Sequence, residues 1–177
     1  MSSMDEAVEF FRRFAAREYE AEAAFFGERD EKRLQEVLAA YNRDVYEPPM
    51  HGRAVRPRVD EAFFARADQS IAQRQPRAIL RVDRWPDPGG DLFAAAVSSN
   101  LAGDTALFSR YFARQTPRGL RIVSRHDVCV ECSGTGEARG RVCAQCAGTG
   151  WEHFDGAKIE VLEVPAETRA FDVGEAK

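Results

Sequence analysis

Thr105-Ala-Leu-Phe-Ser-Arg-Tyr-Phe-Ala-Arg-Gln-Thr-Pro117-Arg118-Gly119-Leu-Arg-Ile-Val-Ser-Arg-His-Asp127 reads as a β-hairpin. Its arms, 105–115 and 120–127, alternate apolar and polar positions, the period of a strand with one buried face. Between them Thr116-Pro-Arg-Gly119 supplies a residue with a locked φ and one free to turn left-handed, the chemistry of a tight reversal. Upstream, Ala78, Leu80 and Val82 alternate with Arg77, Ile79 and Arg81, and this strand ends at Trp85-Pro-Asp-Pro-Gly-Gly90. Residues 91–99 read as a further strand, so the second half of the chain is an antiparallel meander.

Before Pro76 the period is helical. Ser3 and Glu6 have capping-box spacing, and Val8, Phe10, Phe11, Phe14, Ala15, Tyr19, Ala21, Phe25 and Phe26 recur at helical intervals up to Gly27. Asp30 can cap a second helix that buries Leu34, Val37, Leu38 and Tyr41. Tyr46-Glu-Pro-Pro-Met-His51-Gly52 must be irregular, and a third helix starts at Asp60 with Phe63, Phe64, Ala67 and Ile71. Helices followed by a meander give an α+β fold rather than alternating βαβ units. Residues 151–154 and 159–164 return one strand or two short ones, and the acidic tail from Pro165 is expected to be loosely held.

The chain has 177 residues, 44% of them hydrophobic and 31% charged, a composition that excludes disorder throughout and an integral membrane protein. It contains no basic segment followed by an apolar run at Met1-Ser-Ser-Met-Asp-Glu6 and no apolar stretch long enough to span a bilayer, so a cytoplasmic location is expected. The length suits one domain with a small insert, divided here as 1–127, 128–150 and 151–177. The net charge of −4 hides a basic middle between acidic ends.

The long Phe-rich first helix, the third helix before the sheet, and the long strands at 107–113 and 120–127 carry a resemblance over residues 4–127. The order of elements resembles the cone-shaped α+β fold of the nuclear transport factor 2-like superfamily, which includes ketosteroid isomerase-like and SnoaL-like proteins. The resemblance implies a curved sheet wrapped around helices with a pocket inside. It implies no single reaction, because that superfamily hosts isomerases, dehydratases, transport adaptors and structural subunits.

Every cysteine lies in two copies of one phrase, Cys129-Val-Glu-Cys132-Ser-Gly134-Thr-Gly136 and Cys143-Ala-Gln-Cys146-Ala-Gly148-Thr-Gly150. Two Cys-x-x-Cys turns can close on one ion from opposite sides, and four thiolates on Zn2+ leave no open position, so one structural zinc is expected. Disulfides or a redox dithiol are the alternatives. His126 and His153 flank the phrases, but four cysteines complete the shell. The phrase resembles the zinc-region repeat of J-proteins (DnaJ-type) at half the usual size. No His-Pro-Asp motif accompanies it, so the resemblance implies a rigid knuckle able to touch polypeptide and not stimulation of a chaperone ATPase.

A two-residue turn at Pro117-Arg118 would oppose Arg114 to Arg121, Phe112 to Val123 and Arg110 to Arg125, with Arg81 on the same face. Opposed like charges weaken strand pairing, so acids should cover them. Glu160, Glu163, Glu167, Asp172 and Glu175 of the tail, or Asp83 and Asp127, can do so internally; an acidic protein partner or a second copy packed sheet to sheet is the external alternative. Nucleic acid would use Phe108 and Phe112 among the arginines as a stacking platform, against the overall negative charge.

On the other face Tyr111 and His126 are expected together, with Leu107, Ser109, Ala113, Ile122 and Ser124; in an open cone these two could polarise or protonate a small ligand. Tyr41, Tyr46 and His51 could reach its mouth. No acid–base dyad, phosphate loop or nucleophile elbow can be read. The leading expectation is therefore a non-enzymatic adaptor that contacts protein through the knuckle. A ligand-binding or ketosteroid isomerase-like pocket is the alternative, nucleic-acid binding the third, and no membrane contact is expected.

Overall fold

Ser3 starts the first helix by accepting from the Glu6 amide at 3.2 Å while the Glu6 carboxylate accepts from the Ser3 amide at 2.6 Å. This reciprocal cap satisfies two of the free donors at a helix start. The computed structural model describes residues 3–54, 56–72, 77–98, 108–160 and 163–171. Its helices are α1 (Met4–Gly27), α2 (Glu31–Val45) and α3 (Glu61–Ala72). The strands are β1 (Ile79–Trp85), β2 (Leu92–Ser98), β3 (Phe108–Thr116), β4 (Gly119–Val128), β5 (Glu137–Ala138), β6 (Arg141–Val142), β7 (Trp151–Gly156) and β8 (Glu167–Ala170).

Six strands form one antiparallel sheet in the order β7-β4-β3-β2-β1-β8, while β5 and β6 pair separately. The fold is α+β, as the element order predicts. On one face Phe11 and Phe14 of α1 and Leu34 and Leu38 of α2 pack with Val82, Phe93, Val97, Tyr111 and Ile122. Phe14 meets Tyr111 edge-on at 4.7 Å between ring centroids, a favourable geometry for aromatic quadrupoles. The other face carries a smaller cluster of Trp85, Leu92, Ala94 and Phe112, backed by Val123 and Ile159.

Several expectations change, and Val37, expected on the buried face of α2, is 38% exposed. The hairpin turns at Pro117-Arg118 and opposes Arg114 to Arg121 as read, but the register then shifts between Phe112 and Ala113. Beyond that bulge Phe112 opposes Ser124, Arg110 opposes His126, and Arg125 opposes Tyr111. One extra residue moves every later side chain on β4 to the other face. In β1 a similar shift between Ile79 and Arg81 lets both Ile79 and Val82 enter the helix-side core, which strict alternation forbids. Finally, 167–170 is no loose tail but an edge strand paired to β1, whereas 159–160 and 163–164 are not strand. Residues 105–107, Asp172 and Glu175 lie outside the described residues, as does the side chain of Phe108.

Arg121 shows what the loop after α2 requires. Its side chain is nearly buried and donates to the carbonyls of Arg43, Asp44 and Tyr46, the last two at 2.6 and 2.7 Å, while its guanidinium lies 2.9 Å from the Glu47 carboxylate. A helix C-terminus leaves such carbonyls without intrahelical donors, and a planar fork can satisfy several at once. Replacing Arg121 with Met should lower stability by about 2–3 kcal/mol, the scale of lost charge-assisted hydrogen bonds. Arg121→Lys should restore little of it in urea denaturation, because one ammonium cannot reach all three carbonyls.

Candidate metal centre and flanking sites

The two cysteine phrases fold into near-identical turns of the same hand: each supplies two sulfurs and donates one amide to a sulfur. Ser133 and Ala147 adopt φ of 52° and 53°, a left-handed step that brings the chain back so that the amides of Gly136 and Gly150 reach Cys132 Sγ at 3.3 Å and Cys146 Sγ at 3.2 Å. Thr135 and Thr149 hydroxyls tie down the same turns by donating to the Cys132 and Cys146 carbonyls. The copies then interlock: the Cys129 amide donates to Gly150 O and the Cys143 amide to Gly136 O, both at 2.9 Å.

The backbones approach so closely that a Cβ on Gly150 would lie 2.5 Å from Gly134 O, and Gly136 is equally confined against Gly148.

All four sulfurs are buried and lie within 4.8 Å of one another, none joined in a disulfide. Cys129 and Cys143 sulfurs are 3.9 Å apart and those of Cys132 and Cys146 3.7 Å. Four sulfurs at about 2.3 Å from a tetrahedral zinc would be about 3.8 Å apart, so the residues fit a closed tetrathiolate shell. Burial pushes the Cys129 thiol up to about 12. At Cys146 burial acts in the same direction, but the Gly150 amide and the neighbouring sulfurs outweigh it and hold the thiol down at about 6. These cysteines can hold one metal ion, and zinc is plausible for the set.

β4 leads directly into the first turn, and β7 leaves the second and pairs back on β4, with Val128 opposite Trp151. The knuckle is thus the loop of a hairpin, anchored in the sheet at both ends.

The five arginines expected to form one basic face are dispersed. Arg81 pairs with Asp83 at 2.8 Å, Arg114 with Asp87 at 2.9 Å, and Arg125 with Asp127 at 2.8 Å, while Arg121 turns to α2 and Glu47. Arg125 also stacks on Phe154, its guanidinium carbon 4.0 Å from the ring centre. Of the acids expected as cover, Asp83 and Asp127 serve; Glu167 pairs with Arg84 and Arg169 instead. Arg110 lies between the rings of Phe112 and Trp151.

The expected pocket pair is also separated. Tyr111 faces the helices, and its hydroxyl accepts from Arg77 at 3.4 Å. His126 lies on the opposite face against Phe112, because the bulge inverts β4 between Ile122 and His126. None of the family models, curated proteins or solved structures compared with this chain matches it. The functional reading therefore rests on geometry.

A recess of about 390 Å³ opens on the helix side, lined in part by Glu18, Glu22, Tyr46, Arg53, Arg77 and Arg125. Glu18 accepts from the Tyr41 hydroxyl and from Arg53 at 3.0 Å, and the Tyr41 and Tyr46 hydroxyls are 3.0 Å apart. Burial, then each other's charge and that of Glu18, raise Tyr41 far above the phenol range, so it stays a donor. His51 is exposed and pairs with Asp155 at 2.7 Å.

Sequence reasoning missed Glu18 and Glu22. Their signal is their position: they continue the buried stripe of Phe11, Phe14, Ala15 and Ala21, where a charged residue is out of place.

Gly150→Ala should disrupt the knuckle by forcing its Cβ into the Gly134 carbonyl. Against the parent chain, the variant should release bound metal to a chromogenic chelator at least tenfold faster. Acidification should release metal from both, since protons compete for thiolates and affinity falls as pH falls. Equal release by parent and variant would show that the interlock does not hold the site.

Proposed function

We propose that this chain is a non-enzymatic protein-binding module in which one structural zinc ion holds the knuckle as a rigid contact surface on a cone-shaped α+β scaffold. The observation that carries the reading is the pairing of a closed, buried sulfur shell with two exposed apolar side chains. Val130 and Val142 are 72% and 71% exposed, one beside each cysteine pair. A shell of four thiolates offers no site to a substrate, while an apolar side chain on a rigid turn gains free energy when a partner covers it. The scaffold part is supported by the helix order and the β1–β4 meander within residues 4–127, the elements whose order resembles the nuclear transport factor 2-like cone.

The recess supports a second reading, a small polar ligand bound between α1 and the sheet. Its buried Glu18 and Glu22 beside Arg53 and Arg77 favour it. These charges already pair with one another, although the Nε atoms of Arg53 and Arg77 are buried without a partner; the protein-contact reading is placed first. Ion pairing of four of the five arginines, all but Arg110, speaks against a nucleic-acid surface.

The test separates contact from stability. Val130→Ser with Val142→Ser should keep full metal content and thermal stability yet lose at least tenfold in binding to native partners recovered on the immobilised parent chain. Undiminished binding of those same partners by the metal-replete double variant would contradict the reading.

A further inference from the structure

On the sheet face away from the helices, the second knuckle turn and the sheet enclose a groove of about 680 Å³ whose lining includes Arg110, His126, Gly148, Trp151, His153 and Ile159. Arg110 differs from its neighbours here. Its guanidinium carbon lies 4.9 Å from the Phe112 ring and 4.7 Å from the Trp151 ring, and among the described residues it has neither a carboxylate nor a hydrogen-bond acceptor. Arginines nearby in the sheet, Arg81, Arg84, Arg114 and Arg125, all have acidic partners. Burial lowers Arg110 to about 10, an effect that the charge of Asp83 partly offsets, so it is charged at neutral pH with no carboxylate in ion-pair contact. A guanidinium held over aromatic rings can still direct its in-plane N–H donors to an anion, and the buried Arg110 Nε has no partner.

Directly opposite on β4, His126 is only 7% exposed, and its Nε2 has no partner. Burial, then the charge of Arg110, then His153 hold its pKa down at about 4, so the ring is neutral near pH 7 and can present one N–H. The neighbouring His153 has its Nε2 at 2.8 Å from Gly156 O, a contact that uses that nitrogen as donor. A buried polar atom without a partner is costly, and a ligand that supplies one recovers the cost.

We infer that this groove binds a carboxylate side chain within a polypeptide segment, the carboxylate meeting the Arg110 fork and the His126 Nε2–H while Trp151 and Ile159 cover an adjacent apolar residue. The inference rests on the protein-binding reading and names the chemistry of the partner. Glu160 lines the groove as well; its carboxylate repels a ligand anion, so binding requires the attraction of Arg110 and His126 to exceed that repulsion.

The test uses the full chain with its metal retained and two end-blocked octapeptides, one alternating Leu and Glu, the other Leu and Gln, with inorganic phosphate as a third probe. NMR of the Trp151 indole N–H reads occupancy. The Leu–Glu peptide should shift that signal and the Leu–Gln peptide should not. Arg110→Gln should weaken binding at least tenfold and His126→Gln severalfold, whereas Arg114→Gln, whose parent guanidinium is already paired with Asp87, should leave it unchanged. Should Arg110→Gln fold poorly, the native chain still decides through salt, since binding must weaken as ionic strength rises.

Equal binding of both peptides, salt-independent binding, or phosphate that binds as tightly as the Leu–Glu peptide would overturn the assignment. If the Leu–Glu peptide fails while the valine double variant still loses its partners, the groove assignment alone falls. If the peptide binds at Arg110 while the valines prove dispensable, the knuckle tips fall as the contact surface and the groove stands.

Discussion

Four buried sulfurs held at the spacing of a tetrahedral shell are the constraint on which the knuckle depends. Residues 129–150 have almost no apolar core of their own; the cluster consists of the four cysteines, with Ala138 packed against it. A segment this small cannot offset its own ordering entropy by burial. A structural zinc ion binds its peptide ligands with about 10–16 kcal/mol, comparable to the stability of a whole domain. One ion would therefore supply the free energy that orders the interlocked turns, and through them fix how β7 leaves the knuckle and pairs with β4.

The second constraint is the bulge in the β3–β4 hairpin. One additional residue between Ile122 and Ser124 turns Arg125 toward Tyr111 and carries His126 to the outer face beside Arg110. The same shift thus creates the groove under the knuckle and removes His126 from the helix-side recess. Without it, Arg110 and Arg125 would oppose each other as like charges, a pairing that weakens a sheet.

Much of the fold was legible because its signals are local. The Ser3–Glu6 and Asp30 caps, the Phe-rich stripe of α1, the Pro117-Arg118 turn and the cysteine phrases depend on neighbours within a few residues. The face assignments were not legible beyond Phe112, since a bulge has no obligatory residue here and Val123 looks like any strand residue. The edge strand 167–170 was hidden because it is four residues long and lies in an acidic tail; its pairing with β1 places Arg84 beside Glu167. The recess escaped because Glu18 and Glu22 read as solvated helix charges until Arg53 and Arg77, from distant segments, are placed beside them.

The central claim is that one metal ion bound by Cys129, Cys132, Cys143 and Cys146 closes the knuckle. X-ray absorption at the zinc edge on the chain purified without chelator tests it most directly. The account predicts one zinc per chain with four sulfur scatterers at about 2.3 Å and no nitrogen or oxygen ligand. A substoichiometric metal content, a mixed shell that includes histidine or water, or cysteines found paired as disulfides would contradict it.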